Sequence, residues 1–145
     1  MRKELNAVHT EGREAFSTAL SLITLSARAH GIAALDGVFT DVRSPDALQG
    51  LARECAQAKA LGMDGKTLIH PQQVDAANFA FTPSADAVEA AQKIIDAHAA
   101  AISEGKGVTT VDGSLIENLH VEEAKRALGQ IRAIREMEAS RNIET

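Results

Sequence analysis

Two short apolar segments separated by one amphipathic helix limit most strongly how this chain can fold. The first segment, residues 32–38, ends near Asp36, and the second, residues 66–70, ends on His70. A strand, a helix and a second strand at this spacing predict a parallel βαβ unit, because parallel strands need a long crossover connection. The crossover brings the carboxyl ends of both strands, and with them Asp36 and His70, to the same edge of a sheet. Enzymes with α/β folds usually keep their chemistry at that edge.

Helical patterns surround the two strands. Apolar residues recur at helical spacing in five segments, approximately residues 11–30, 45–61, 71–78, 85–104 and 121 onward. Ser44 and Ser84 are the expected N-caps of the second and fourth helices, because their hydroxyls can accept from free backbone N–H groups. Residues 108–117 look extended, with Asp112-Gly113 at a possible tight turn.

The two strands do not make a complete sheet. Parallel sheets need further strands beside them and cover on both faces, and both segments are apolar on both faces, as interior strands are. Either the chain completes its sheet with other copies of itself, or it is the C-terminal piece of a larger barrel. We favour the larger barrel, which makes this an α/β chain.

Charge and composition exclude several classes of function. The formal net charge is -5, no cluster of Lys or Arg stands out, and the aromatic residues are four Phe with no Trp or Tyr. Nucleic-acid binding is not expected, because both a phosphate-neutralising surface and an aromatic stacking platform are missing. No apolar run reaches the length of a membrane span, and the N-terminus does not resemble a signal peptide. We expect a chain that makes no membrane contact and is located in the cytoplasm.

Residues 60–67 (ALGMDGKT) have the glycine, lysine and threonine of a Walker A motif, but in the wrong context. A phosphate-binding loop follows a strand and opens a helix, whereas here a helix precedes the motif and a strand follows it. Nucleotide hydrolysis is therefore not expected, and Lys66 is predicted to be a solvated charge at the start of the strand. Cys55 is the only cysteine; it lies on the apolar side of a helix and is predicted to be a small core residue.

Several polar residues have both a structural and a functional interpretation. His70 either hydrogen-bonds a neighbouring backbone group and starts the next helix, or forms part of the wall of a ligand pocket. Asp36 either belongs to a turn with the glycine after it, or lies at the ligand edge of the sheet. Asp112 either belongs to a hairpin turn, or has a function that the residues alone do not reveal. His98 is predicted to pack in a helix interface, and His120 to help start the last helix.

An ordered series of motifs runs through nearly the whole chain. Its members are residues 35–41 (LDGVFTD), 60–74 (ALGMDGKTLIHPQQV), 78–84 (NFAFTPS), 105–107 (GKG) and 111–113 (VDG). This series closely resembles the HpcH/HpaI aldolase/citrate lyase family. The likeness is to the acyl-CoA lyase branch, that is, citrate lyase β subunit-like proteins and malyl-CoA/β-methylmalyl-CoA lyases.

The resemblance implies a (β/α)8 TIM barrel with a C-terminal extension, of which this chain is the C-terminal part. Residues 1–104 would contain the last two βα units, with strands at about 32–38 and 66–70. Residues 105–145 would form a mainly helical extension that acts as a lid. Family members bind Mg²⁺ and cleave or form a C–C bond between an acyl-CoA and an oxo acid such as glyoxylate. The metal polarises the carbonyl of the oxo acid, and a carboxylate moves the proton at the α-carbon of the thioester.

The resemblance also implies roles for individual residues. Asp112 matches the catalytic carboxylate, which in family members reaches over the active site of an adjacent subunit, so a homo-oligomer such as a trimer or hexamer is expected. Ile69 and His70 match a position near bound CoA, and Asp36 is a further candidate contact. The family's metal-binding Glu and Asp have no counterpart among these residues. Mg²⁺ is therefore expected to be bound outside this chain, and the isolated chain is expected to be inactive.

The resulting hypothesis is the C-terminal part of a Mg²⁺-dependent lyase that acts on a 3-hydroxyacyl-CoA such as malyl-CoA or citramalyl-CoA. Its partners would be acetyl-CoA or propionyl-CoA and an oxo acid. Two alternatives stay open. One is a malyl-CoA thioesterase of the same family, which would use the same machinery for hydrolysis. The other is a truncated, non-catalytic chain that serves as an oligomerisation module.

Overall fold

The computed structural model describes residues 3–8 and 10–143, which divide into two compact units, one up to Phe81 and one from Thr82. The first unit contains a 3₁₀ turn (Glu14–Phe16), α1 (Ser17–Ala29), β1 (Leu35–Asp36), α2 (Ala47–Ala60), β2 (Gly65–Lys66), a second 3₁₀ turn (Pro71–Gln73) and α3 (Val74–Phe81). The second unit contains α4 (Ala85–Ser103), β3 (Thr109–Val111), β4 (Ser114–Ile116) and α5 (Asn118–Ile143). The boundary that the sequence predicts at 104/105 falls inside the second unit, because α4 packs against α5 and β3.

β1 and β2 pair in parallel with α2 between them, which confirms the predicted βαβ unit. Leu35 pairs with Gly65, and Asp36 pairs with Lys66. Both strands are shorter than the predicted segments 32–38 and 66–70, so those predicted lengths are wrong. A ladder extends only as far as two strands face each other, and in the described part of the chain neither strand has a partner on its other edge. The second strand therefore ends at Lys66. The N–H of Thr67 still donates to the carbonyl oxygen of Asp36 at 2.9 Å, and residues 68–70 then lead into the 3₁₀ turn.

Helices cover only one of the two faces of this small sheet in the part of the chain that the structure describes. Side chains alternate along a strand, so Ala34 and Asp36 share one face, while Leu35 lies on the other. Ala34 packs with residues of α1 and α2, and Lys66 contacts Glu54 of α2, which identifies this face as the helix-covered one. Leu35 on the opposite face is 61% exposed. Within the described residues, helices thus cover one face of the sheet only, as in an isolated segment of a barrel wall.

Two apolar clusters hold the first unit together. One joins α1 to α2 and to the chain just before each strand, through Phe16, Leu20, Ala27, Ala34, Ala58 and Met63. The other joins α2 to α3 through Leu51, Cys55 and Ala77. Cys55 is fully buried, which confirms its prediction as a core residue. Burial raises the pKa of its thiol, because the thiolate would lose its hydration.

A hairpin and two long helices form the second unit. Val111 pairs with Ser114 across the turn, and both residues between them have positive φ, +49° at Asp112 and +81° at Gly113. Two central residues of positive φ are what a type I′ turn requires, so the predicted hairpin is confirmed. Ser84 caps α4 by accepting from the N–H of Ala87, as predicted. None of the described helices combines the length and the apolar composition needed to cross a membrane.

The two histidines of the second unit have different surroundings. The predicted role of His120 at the start of the last helix is confirmed. Its Nδ1 accepts a hydrogen bond from the backbone N–H of Glu117 at 3.1 Å, at the start of α5. His98 is half-buried on α4, and its Nε2 is buried without a hydrogen-bond partner among the described residues. A buried polar atom that lacks a partner loses its hydration without compensation.

Replacing His98 with leucine is therefore expected to stabilise the protein, by about 1 kcal/mol in the free energy of unfolding, since it removes the unpaired nitrogen and keeps an apolar body. Urea unfolding followed by circular dichroism measures the change. His120→Leu is the matched control, and it is expected to change stability in the opposite direction because it deletes a hydrogen bond at a helix start. A loss of stability in His98→Leu as large as that in His120→Leu would contradict the unpaired state of His98.

Candidate functional site

The loops that follow the two strands enclose a small cavity at the carboxyl edge of the sheet. Residues 41–45 follow β1, and residues 70–73 follow β2; members of both segments, together with Ala47, Leu48 and Leu51 of α2, line a cavity of about 230 Å³. Its polar lining includes Asp41, Arg43, Ser44, His70, Gln72 and Gln73. A guanidinium, an imidazole and a hydroxyl can together bind a polar or anionic group, so this cavity is the candidate ligand site of the first unit.

His70 has the structural role that the sequence predicted and also lies at the cavity. Its backbone is extended, and its Nδ1 accepts from the N–H of Gln72 at 3.3 Å, so it caps the 3₁₀ turn. Its neighbour Ile69 has a side chain that is 54% exposed, and its N–H donates to Oε1 of Gln73 at 3.0 Å. The helix-start interpretation of His70 is confirmed. Ligand contact by Ile69 and His70 stays a prediction.

Gln73 holds the two loops together. It is buried, accepts from the N–H of Ile69, and donates through Nε2 to the carbonyl oxygen of Phe39 at 3.0 Å. One side chain thus joins the segment after β1 to the segment after β2. The sequence does not predict this role of Gln73, because a glutamine near a helix start normally faces solvent.

Asp36 belongs to a buried ionic cluster of four side chains, Arg13, Asp36, Glu54 and Lys66, called the ionic quartet below. Arg13 Nη1 donates to Oδ1 and Oδ2 of Asp36 at 2.9 and 2.8 Å. Lys66 Nζ contacts Oδ2 of Asp36 at 2.8 Å and Oε2 of Glu54 at 2.7 Å. Two cations face two anions, so the quartet carries no net charge. The prediction that Lys66 is solvated is wrong, because its side chain is 0% exposed between these two carboxylates.

Arg13 completes the quartet in a left-handed backbone conformation, with φ +54°. Its Nε donates to Oε1 of Gln57 at 2.7 Å, and its Nη2 donates to the backbone oxygen of Glu54 at 3.3 Å. The Arg13 side chain thus joins the segment before α1 both to α2 and to the sheet. No local sequence pattern indicates this role of Arg13, because its partners lie far from it along the chain.

The ionic quartet leaves Asp36 little capacity for a ligand. Its carboxylate accepts from Arg13, from Lys66 and from the N–H of Gly37, on the face of the sheet that the helices cover. The prediction that Asp36 contacts a ligand stays a prediction, and the observed contacts give it a structural role.

The described residues do not fit a magnesium site. Asp36 and Glu54 are neighbouring carboxylates, but both are neutralised by Arg13 and Lys66, which occupy the oxygens that a divalent cation would need. Elsewhere in the part of the chain that the structure describes, no three His, Cys, Asp or Glu side chains converge. These contacts do not test the prediction that Mg²⁺ is bound outside this chain.

Asp112 lies at the tip of the hairpin in the second unit. It is exposed, and in the described ranges its carboxylate makes no hydrogen bond or ion pair. Lys93 of α4 lies within electrostatic reach: the pKa of Lys93 is raised chiefly by its hydrogen bond to Glu89 and to a smaller degree by Asp112. The turn interpretation of Asp112 is confirmed, and the same turn presents its carboxylate to solvent. Its catalytic role stays a prediction.

Comparison with known proteins gives a consistent result along the chain. Residues 14–137 match a family model described as C–C bond lyase of the TIM-barrel fold. The (3S)-malyl-CoA thioesterase of Cereibacter sphaeroides is 41% identical over 140 residues, which cover 97% of this chain and 48% of the relative. The L-malyl-CoA/β-methylmalyl-CoA lyase of the same species is 38% identical over 116 residues, which cover 80% of this chain and 36% of the relative.

A solved structure agrees with these relatives. CitE from Mycobacterium tuberculosis, in complex with magnesium, acetoacetate and coenzyme A, aligns with a TM-score of 0.71 and 27% identity, covering 90% of this chain and 48% of that one. The chain thus spans about half the length of the malyl-CoA thioesterase and of CitE, and about a third of the length of the lyase. The predicted fold is confirmed: the two βα units are the C-terminal part of a TIM barrel, followed by a mainly helical extension.

Proposed function

Because the chain belongs to the C–C bond lyases of the TIM-barrel fold, the HpcH/HpaI aldolase/citrate lyase family, we propose that it forms the C-terminal part of an acyl-CoA lyase. The reaction would cleave or form the C–C bond of a 3-hydroxyacyl-CoA such as malyl-CoA or citramalyl-CoA. The observation that carries this proposal is the family match over residues 14–137. The malyl-CoA relatives support the substrate class.

The two units have separate tasks in this proposal. The cavity lined by His70 and Arg43 binds a polar part of the CoA thioester, with Ile69 contributing exposed apolar surface beside it. The carboxylate of Asp112 takes the proton from the α-carbon in the condensation direction and returns a proton there in the cleavage direction. An exposed, unpaired carboxylate on a hairpin is suited to reach a substrate outside its own unit. We place the enzyme in the cytoplasm as a homo-oligomer in which the hairpin covers a neighbouring subunit.

Residues outside this chain complete the site. The oxo acid and any Mg²⁺ would be bound there, since the carboxylates of the ionic quartet are already neutralised. We therefore assign this chain the binding of CoA and the transfer of the proton. The isolated chain is expected to have no turnover.

A thioesterase is the second candidate, favoured by the 41% identity to the (3S)-malyl-CoA thioesterase. In that reaction water would attack the thioester carbonyl, and malate and CoA would leave as products. Asp112 would then accept a proton from the attacking water instead of from the α-carbon. The two reactions give different products from the same substrate, so one assay separates them.

The test is a chimaera in which this chain replaces the matched segment of the Cereibacter sphaeroides thioesterase. Malyl-CoA is supplied, glyoxylate is trapped as a hydrazone, and the free CoA thiol is titrated. Lyase activity releases glyoxylate without free thiol, and thioesterase activity releases free thiol without glyoxylate. The chain without the upstream segment serves as the control and is expected to give neither product. A folded chimaera that binds CoA but forms neither product would overturn the proposal and would favour the non-catalytic oligomerisation module.

A further inference from the structure

The two parallel strands separate just beyond their carboxyl ends. Asp36 pairs with Lys66, and the next backbone bond runs from the N–H of Thr67 to the carbonyl oxygen of Asp36 at 2.9 Å. If this register continued, Phe39 would lie opposite Ile69. In the part of the chain that the structure describes, no backbone hydrogen bond joins these two residues. The distance between the two segments at this level is therefore set by other contacts than those of the ladder.

The side chain of Gln73 occupies the place of the missing ladder bonds. Its Nε2 donates to the carbonyl oxygen of Phe39, and its Oε1 accepts from the N–H of Ile69, both at 3.0 Å. A carbonyl oxygen on one strand and an N–H on the other are the groups that a parallel ladder pairs directly. Gln73 is 3% exposed, so little water competes for these bonds. One buried amide thus bridges the two segments at the level where they part.

The two ends of this bridge are held in different ways. Phe39 packs closely on α2: a Cβ added at Gly50 would lie 2.6 Å from Cζ of its ring. The side chain of Ile69 is 54% exposed, so packing does little to hold that segment. Gln73 holds its backbone instead, because it accepts from the N–H of Ile69 and its own N–H donates to the carbonyl oxygen of His70 at 3.0 Å. Gln73 thus transmits the fixed position of Phe39 to the backbone at Ile69 and His70.

We propose that Gln73 is a positioning residue for the CoA thioester: it fixes the backbone of Ile69 and His70 at the cavity and raises the affinity for CoA without taking part in the chemistry. The inference rests on the proposed function, which places a polar part of CoA in the cavity lined by His70. A segment that is already held in its binding conformation loses less conformational entropy when the ligand binds. Both amide bonds go to backbone atoms of this chain, so this order does not depend on a ligand.

The test replaces Gln73 with methionine in the chimaera described above, because methionine keeps the length of the side chain and loses both amide bonds. Calorimetry with CoA is expected to show binding about tenfold weaker, and KM for malyl-CoA should rise by a similar factor while kcat changes less than about twofold. The N–H of Ile69 should exchange with deuterium at least about tenfold faster, since its acceptor is gone. Gln49→Met is the matched control: Gln49 is exposed on α2 and does not line the cavity, so none of these values should change.

Gln73→Glu tests the same bridge by a reversible change. A carboxylate can accept from the N–H of Ile69 but cannot donate to the carbonyl oxygen of Phe39, whereas the protonated carboxyl group can do both. The ratio of the CoA dissociation constant of Gln73→Glu to that of the unchanged chimaera should therefore fall towards one as the pH is lowered through the pKa of the new carboxyl group. The titration of CoA itself is common to both proteins and cancels from the ratio. Circular dichroism at each pH shows that both proteins are folded.

Several results would overturn the positioning role and leave the proposed function intact. One is equal CoA affinity in folded Gln73→Met and in the unchanged chimaera. Another is a loss of kcat at unchanged KM, because Gln73 would then act in the chemistry. A ratio that does not change with pH in Gln73→Glu is the third. Failure of the unchanged, folded chimaera to bind CoA is a different result: it contradicts the proposed function itself, and the positioning role falls with it.

Discussion

Replacing Asp112 with asparagine is expected to lower malyl-CoA turnover of the chimaera by about a hundredfold or more, while its affinity for CoA stays unchanged. A positioned acid or base contributes on this scale, and the amide cannot carry the proton. Asparagine is the informative substitution because Asp112 has φ +49°, a conformation that asparagine tolerates better than most residues. The type I′ turn is therefore retained, and only the proton-carrying group is lost.

Product formation and CoA binding are to be measured on the same preparations. Asp86→Asn, which changes another acidic residue of the second unit in the first turn of α4, is the control and should leave turnover unchanged. Asp112→Ala removes the carboxylate and also strains the turn, so it should match the turnover loss of Asp112→Asn and unfold at lower urea. Turnover in Asp112→Asn equal to that of the unchanged chimaera would remove Asp112 from the chemistry and leave it as a turn residue.

Local rules predicted the order of the elements well. The hairpin follows from Asp112-Gly113 between two extended segments, and the start of α4 follows from the hydroxyl of Ser84. The N-capping rule that holds at Ser84 failed at Ser44, which was predicted to be the N-cap of α2. Asp41 competes for that hydroxyl, accepting from the N–H and Oγ of Ser44, and α2 begins later, at Ala47. The carboxylate of Asp41, three residues upstream, thus binds the hydroxyl that was predicted to cap α2.

Strand length and charge burial depend on residues far away along the chain. The apolar pattern at 32–38 predicted a strand, but only Leu35–Asp36 has a partner to pair with. Arg13 and Lys66 look like surface cations in sequence, and they are buried because Asp36 and Glu54 meet them in the fold. No short-range rule relates residues separated in this way. The register that places Lys66 beside Asp36 is the signal that could have revealed the pair, once the parallel ladder was assumed.

Removal of the Asp36 carboxylate is expected to cause a large loss of folding stability. In Asp36→Ala, Arg13 and Lys66 stay buried while one of their two counter-charges is gone, and breaking a buried ion pair in this way costs about 3–5 kcal/mol of folding stability. The loss is measured by urea unfolding of the chimaera. Glu11→Ala breaks the exposed ion pair with Arg53 in the same unit and should have a much smaller effect, because exposed pairs contribute little.

A double variant separates the loss of a counter-charge from the loss of packing. Asp36→Leu combined with Lys66→Met removes one anion and one cation, so Arg13 and Glu54 remain as an ion pair with Nη1 and Oε2 3.5 Å apart. We expect this variant to recover most of the stability that Asp36→Ala loses, since a well-packed apolar pair can replace a buried ion pair. If the double variant is as unstable as Asp36→Ala, the shape of these side chains matters more than their charge. The charge balance of the quartet would then not be the main source of its contribution to the stability of the first unit.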